Sequence, residues 1–134
     1  MPDSSPRDGT KDQRYFEELL ALRFPSIAGA LTEIERGLLH VEMGAFARAT
    51  RNAIESGRLE QVAAHLGFVD ELFGGAAPDL DNAIYVSYLE NVFLGRDDAR
   101  YRHARSTLSD RLQAALVKVE EGWKEFDARQ RERP

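Results

Sequence analysis

Residues 81–94, DNAIYVSYLENVFL, constrain the fold more than any other stretch of this chain. Asp81 is a good helix N-cap, and the apolar residues behind it wrap most of the way round a helix. Ile84 and Tyr88 lie four apart; Tyr85, Leu89 and Val92 make a second line, and Val86 with Phe93 a third. Only Ser87, Glu90 and Asn91 form a narrow polar strip. A helix that is apolar on nearly every side is surrounded by other elements. The reading is therefore a central helix at 81–93 with the rest of the chain packed around it.

The remaining periodicities are also helical. A short helix is expected at 15–23, with Phe16, Leu19, Leu20 and Leu22 as its apolar residues. Phe24-Pro25 interrupts it, because the residue before a proline avoids helical backbone. A second helix opens at Pro25 and carries Ile27, Leu31, Ile34 and Leu38 on one face, with Gly37 weakening its end. A linker, 38–42, holds His40 and Val41. A third helix is expected at 43–56, with Phe46, Thr50, Ala53 and Ile54 inward, and Gly57 acts as its left-handed cap. A fourth, at 59–73, buries Val62, Ala63, Leu66, Val69, Leu72 and Phe73, and Gly74-Gly75 stops it. After the central helix, Asp97 or Asp98 caps a short helix at 99–108, anchored by Tyr101, Ala104 and Leu108. Ser109 or Asp110 caps the last, at 110–129. There Leu112, Ala115, Leu116, Val119, Trp123 and Phe126 give the most regular amphipathic stripe in the chain.

No segment alternates in the way a strand requires. The expectation is an all-α fold of six or seven short helices, packed as antiparallel hairpins around the central helix and loosely like HEAT or armadillo units. Aligning Leu59 with Leu80 sets Leu66 against Ser87, so no sequence repeat survives. Residues 1–13, with two prolines and no apolar periodicity, read as a disordered tail. Residues 14–129 read as one domain, and 130–134 as a frayed end.

Composition narrows the chemistry. The 134 residues are 43% hydrophobic and include no cysteine, so disulfides and thiolate metal sites are excluded. No run approaches the roughly 20 apolar residues that cross a bilayer, and the N-terminus lacks the apolar core of a secretory signal. A soluble cytoplasmic protein with no membrane partner is expected. The histidines, His40, His65 and His103, fall on different segments without metal-ligand spacing, so no metal, cofactor or catalytic residue is assigned. His65 reads as a helix-surface residue beside the core and His40 as a loop residue. Glu90, on a mostly apolar helix, is the carboxylate of most interest: buried, it would carry a raised pKa.

The net charge of −5 is uneven. Residues 55–98 hold two basic and nine acidic side chains, whereas 99–134 are net +3. The acidic set Glu60, Asp70, Glu71, Asp79, Asp81, Asp97 and Asp98 favours a basic protein partner over nucleic acid, with Phe68, Tyr85 or Tyr101 as apolar anchors. The plainer reading is a solvated face. The five arginines of 96–111 are the one nucleic-acid-like feature. Asp97, Asp98 and Asp110 dilute them, and pairing with the acidic residues of 55–98 would account for both halves of the asymmetry; nucleic acid is not expected.

Several short motifs fall in a familiar order. Phe24-Pro25 opens a helix, and His40-Val41 leads into Gly-x-Phe-Ala-Arg at 44–48. Glu-Ser-Gly follows at 55–57, V-S-Y-L-E-N-V at 86–92, and a last helix bears Trp123. Over residues 15–126 the chain resembles a group of small, mostly uncharacterised all-helical bacterial proteins, some of them immunity-protein-like. The resemblance rests on core and turn residues and brings no catalytic residues. It implies a non-enzymatic protein that neutralises a cognate bacterial toxin by docking on it, here through the acidic residues above and Tyr101. The alternatives are a regulatory or scaffold module that self-associates through the face from Leu112 to Phe126, and a small enzyme or ligand-binding domain using Glu90 and His65.

Overall fold

Local signals set most of the helix ends, and packing decides the rest. The computed structural model describes residues 10–132. Among the described residues there are seven helices: α1 (Gln13–Arg23), α2 (Pro25–Ala30), α3 (Leu39–Glu55), α4 (Leu59–Phe73), α5 (78–93), α6 (Ala99–Ser106) and α7 (Asp110–Glu132). α5 is continuous, with α-helical ends at Pro78–Ala83 and Glu90–Phe93 flanking a π-helical middle, Ile84–Leu89. No strand forms among the described residues; Lys11 and Ala76 make an isolated bridge.

α1 starts at an Asp12 cap, whose Oδ1 accepts the Tyr15 N–H at 3.0 Å, and buries Phe16 and Leu20. Leu22 points outward. Phe24 leaves helical backbone ahead of Pro25, the first residue of α2. α2 then ends eight residues earlier than the Ile27–Leu38 stripe predicts. The cause is a reciprocal capping box: Thr32 Oγ1 accepts the Glu35 N–H at 3.2 Å and Glu35 Oε1 accepts the Thr32 N–H at 2.8 Å. It starts a separate turn, and Ile34 and Leu38 are left exposed.

α3 begins at Leu39 rather than 43, so the expected linker is its first turn. Its C-terminus is a Schellman cap. Arg58 N–H donates to Ala53 C=O at 2.9 Å, Gly57 N–H donates to Ile54 C=O at 3.1 Å, and Gly57 is left-handed. α4 has the predicted bounds, although its Ala63 is exposed. α5 starts at Pro78, three residues before the expected cap. Proline at N1 needs no amide partner, so Asp79 and Asp81 fall inside the first turn, near the positive end of the helix dipole.

α3 and α5 form the central pair. α2, α4 and α6 lean on α3, while α1 and α7 reach α5. Contacts such as α1 with α5 and α3 with α6 skip neighbours in the chain, unlike the neighbour-only contacts of a solenoid. The largest buried side chains are Tyr88, Phe16, Phe46, Phe68 and Phe93, shared among α1, α3, α4 and α5.

The expected tail overlaps the described residues only at 10–13, and there the chain is tied down; residues 1–9 lie outside the described range, as do 133–134. Lys11 Nζ donates to the carbonyls of Glu71 (2.7 Å) and Gly74 (2.8 Å), and the Lys11 carbonyl accepts the Ala77 N–H at 2.7 Å. A cation on the last carbonyls of a helix satisfies groups the helix cannot pair itself and suits its dipole. Lys11→Ala is expected to cost about 1–2 kcal/mol, read as a lower guanidinium midpoint with unchanged helical circular dichroism.

Candidate functional site

The acidic residues singled out above do not form one free face. Asp70 Oδ1 accepts from Arg111 Nε at 2.7 Å and from Ser109 Oγ at 2.6 Å. The Arg111 contact holds this carboxyl below its ordinary range. Gly74 leaves room for that arginine: a Cβ there would lie 2.5 Å from Arg111 Nη1. Glu71 receives both terminal nitrogens of Arg23, at 3.0 and 2.6 Å. Asp98 caps α6, accepting from Arg100 N–H and Tyr101 N–H. Asp79 and Asp81 stand in the first turn of α5. Glu60, Asp79 and Asp97 are exposed. Tyr101 is buried and donates to Glu55 Oε2 at 2.5 Å; burial pushes its hydroxyl up to about 12. Phe68 is buried too, so neither is a surface anchor.

The arginines of 96–111 are spent within the chain. Arg111 holds Asp70, Arg105 grips Glu120, and Arg100 donates to the Glu55 carbonyl. Arg102 donates to the Asp97 carbonyl, and Arg96 stacks over Tyr101 at 5.7 Å. Exposed pairs of this kind contribute about 0–1 kcal/mol each.

The buried polar residues meet at Thr50. His65, expected on a helix surface, is 3% exposed. Its ring lies 4.7 Å from Phe46 and 5.0 Å from Phe24, and Phe68 closes on those two. α4 brings it inward because the face carrying Val62, Leu66 and Val69 also carries position 65. Thr50 Oγ1 donates to the Phe46 carbonyl at 3.1 Å and lies 2.9 Å from both His65 Nδ1 and Tyr88 Oη. With its one proton used, the Thr50 oxygen accepts from the Tyr88 hydroxyl and from His65 Nδ1–H. Burial pushes His65 down to about 4, so the ring is neutral at pH 7. This junction is a structural joint between α3, α4 and α5. Glu90 is half-buried in a groove between α5 and α7, so it and His65 do not converge. His40 Nδ1 meets Ser87 Oγ at 2.6 Å, which ties the first turn of α3 to the π segment. No group of three or more His, Asp or Glu stands together as metal ligands among the described residues.

The expected stripe of α7 divides. Leu112, Ala115, Leu116 and Val119 are buried, whereas Trp123 and Phe126 are 42% and 49% exposed. From Glu121 onward every described residue of α7 is exposed, so the helix projects past the core. The two rings meet edge to face at 5.5 Å. They line a groove of about 530 Å³ with Tyr85, Glu90, Val119 and Gly122, and Trp123 also borders a second one with Leu94 and Asp127. The periodicity did not mark where the core ends. The crowding of charge at 120–132 is the cue that could have done so.

Together these features define an all-helical domain with a sealed polar joint and one projecting aromatic end. No helix among the described residues is long and apolar enough to cross a membrane. The chain belongs to the family described as domain of unknown function DUF7674, whose model matches residues 17–124. No curated protein and no solved structure matches it.

Two tests follow from the joint. Thr50→Val leaves the Tyr88 and His65 donors without an acceptor and is expected to cost about 1–3 kcal/mol. Because the folded pKa of His65 lies below its unfolded value, the unfolded chain binds more protons below about pH 6.5, and stability is lost as pH falls towards 4. His65→Gln removes that loss, so the stability difference from the parent protein will change across pH 6.5–4 in denaturation curves.

Proposed function

We propose that this is a non-enzymatic protein-binding module whose contact surface centres on Trp123 and Phe126. The observation that carries this reading is the aromatic pair itself, half-exposed on a helix that has left its core. Rigid aromatic side chains in partly formed grooves are the usual anchors of protein interfaces. The partner is a protein with a basic surface. The chain is net −5 and Glu60, Asp79 and Asp97 remain exposed, while the grooves carry mixed charge, Glu90 with Lys118 in one and Glu120 and Asp127 with Lys124 in the other. Complementary charge speeds such an encounter, and the buried anchors hold it.

In its sharpest form the reading is an immunity protein acting in the bacterial cytoplasm, which neutralises a cognate toxin by covering it. The exposed carboxylates Glu60, Asp79 and Asp97 then act as long-range steering charges, and the aromatic pair makes the close contact. Asp70, Glu71 and Asp98 are poor probes of docking, because reversing them breaks ion pairs or a cap.

The test is affinity capture from lysate of the native host at low and high salt, with the parent protein and with Trp123→Ala/Phe126→Ala. One basic protein should stay on the parent, loosen in salt, and bind the double variant at least about 30-fold more weakly, a loss of about 2 kcal/mol. Equal retention by the variant removes the aromatic end from the interface. A second reading, self-association through the same face, is favoured by the same exposed rings. A homodimer in sedimentation equilibrium that dissociates in the variant would replace the foreign partner with a second copy of the chain.

A further inference from the structure

Glu42 stands apart from every other carboxylate here. It sits in the first turn of α3, is 3% exposed, and makes no ion pair with an Arg or Lys among the described residues. Its Oε2 accepts the Gly37 N–H at 2.9 Å, while Oε1 has no hydrogen-bond donor among the described residues. A buried carboxylate oxygen left unpaired is costly, and such a group calls for an account. Glu42 also lines a pocket of about 520 Å³ between α1, α2 and the turn at 32–37. That size suits a small ligand.

The walls of the pocket divide by chemistry. Leu20, Ala21, Pro25, Ala28 and Leu31 give it an apolar side. Glu17 lines the pocket beside Glu42, close enough for its carboxylate to raise the Glu42 pKa, and is oriented by Gln13, whose Nε2 donates to Glu17 Oε2 at 3.1 Å and to the Gly37 carbonyl at 2.9 Å. Arg36 stands at the exposed rim, with no ion pair among the described residues. Glu17, Arg36 and Glu42 are the ionisable side chains lining the pocket.

We propose that this pocket binds a small aliphatic primary amine, with the ammonium between Glu17 and Glu42 and the hydrocarbon against Leu20, Pro25 and Leu31. The ammonium supplies the donor that Glu42 Oε1 lacks, and a second one to Glu17. Charge-assisted bonds to a desolvated carboxylate are the strong kind. Arg36 suits an amine that also carries a carboxylate, so an aliphatic α-amino acid satisfies the rim as well as the base.

Without ligand, a proton takes the place of the ammonium. Burial first, then the neighbouring Glu17 carboxylate, pushes Glu42 up to about 7, against the pull of the Gly37 N–H. Amine binding therefore releases that proton, and affinity rises as pH passes upward through about 7. The same group gives a stability signature. Its folded pKa exceeds its unfolded one, so the folded chain binds more protons between about pH 4.5 and 7, and stability falls as pH rises through that window.

Calorimetric titration with 3-methylbutylamine and with leucine, at pH 6 and pH 8 in buffers of different ionisation enthalpy, tests the proposal. The expected result is binding of the amine with proton release at pH 6, tighter at pH 8. Tighter binding of leucine than of the amine assigns Arg36 to a ligand carboxylate, and Arg36→Ala should cancel the difference. Glu42→Gln keeps the shape and removes the charge, so it should fold with a stability that no longer falls from pH 5 to 8, and bind the amine at least 10-fold more weakly. Glu17→Gln, on the half-exposed partner, should weaken binding in the same direction. Absence of heat and of chemical-shift change at Gly37 and Leu20 with either ligand at millimolar concentration would overturn the proposal, as would undiminished binding by a folded Glu42→Gln.

Discussion

One hydroxyl joins three helices. Thr50 Oγ1 links α3, α4 and α5, and the only way to bury it, together with the His65 ring and the Tyr88 phenol, is to satisfy all three at once. The aromatic rings of Phe24, Phe46 and Phe68 seal it from water. The π-helical middle of α5 belongs to this arrangement. An added residue in a turn shifts the faces that follow, and within Ile84–Leu89 the neighbours Ser87 and Tyr88 are both buried, one against His40 and the other against Thr50. Asn91 Nδ2 donates to the Ser87 carbonyl at 2.8 Å. The polar strip that interrupts an otherwise apolar helix is therefore half a strip: Ser87 is an inner hydrogen-bonding residue and Asn91 an outer one.

Much of the fold was legible because local chemistry and packing agree. The bounds of α4, the Gly57 cap and an Asp97 or Asp98 cap for α6 were read from residue types alone. The misreadings share a cause: periodicity reports which residues could share a face, not whether a partner covers it. Ile34 and Leu38 keep helical spacing with Ile27 and Leu31, yet the Thr32–Glu35 box starts a separate turn between them. Trp123 and Phe126 continue the stripe of Leu112–Val119, but the core stops short of them. His65 and Glu42 were missed in the opposite sense. Each is polar, each lies on the apolar side of its helix, and only tertiary contacts reveal what faces it.

The charge asymmetry is answered within the chain only in part, by one ion pair between its two halves. The basic run of 96–111 and the acidic stretch before it meet through Arg111 and Asp70, and main-chain carbonyls of the acidic stretch take Arg100 and Arg102. What remains for an outside partner is smaller: exposed Glu60, Asp79 and Asp97, and the mixed charges around the projecting end of α7. Charge of that kind sets the rate and orientation of an encounter more than its strength. The weight of any docking function therefore falls on the aromatic pair.

Two buried ionisable groups, His65 and Glu42, pull stability in opposite directions with pH. His65 is kept neutral by a sealed aromatic cage and already has its hydrogen-bond partner, so nothing is gained by opening its surroundings. Glu42 is as deeply buried but is left one donor short, at the base of a pocket with an apolar wall. Equal burial with unequal satisfaction separates a joint from a site. A chain selected for stability alone would gain by placing glutamine at position 42, which keeps an acceptor for the Gly37 N–H without an ionisable group. Keeping a carboxylate there makes physical sense when something with a positive charge comes to meet it.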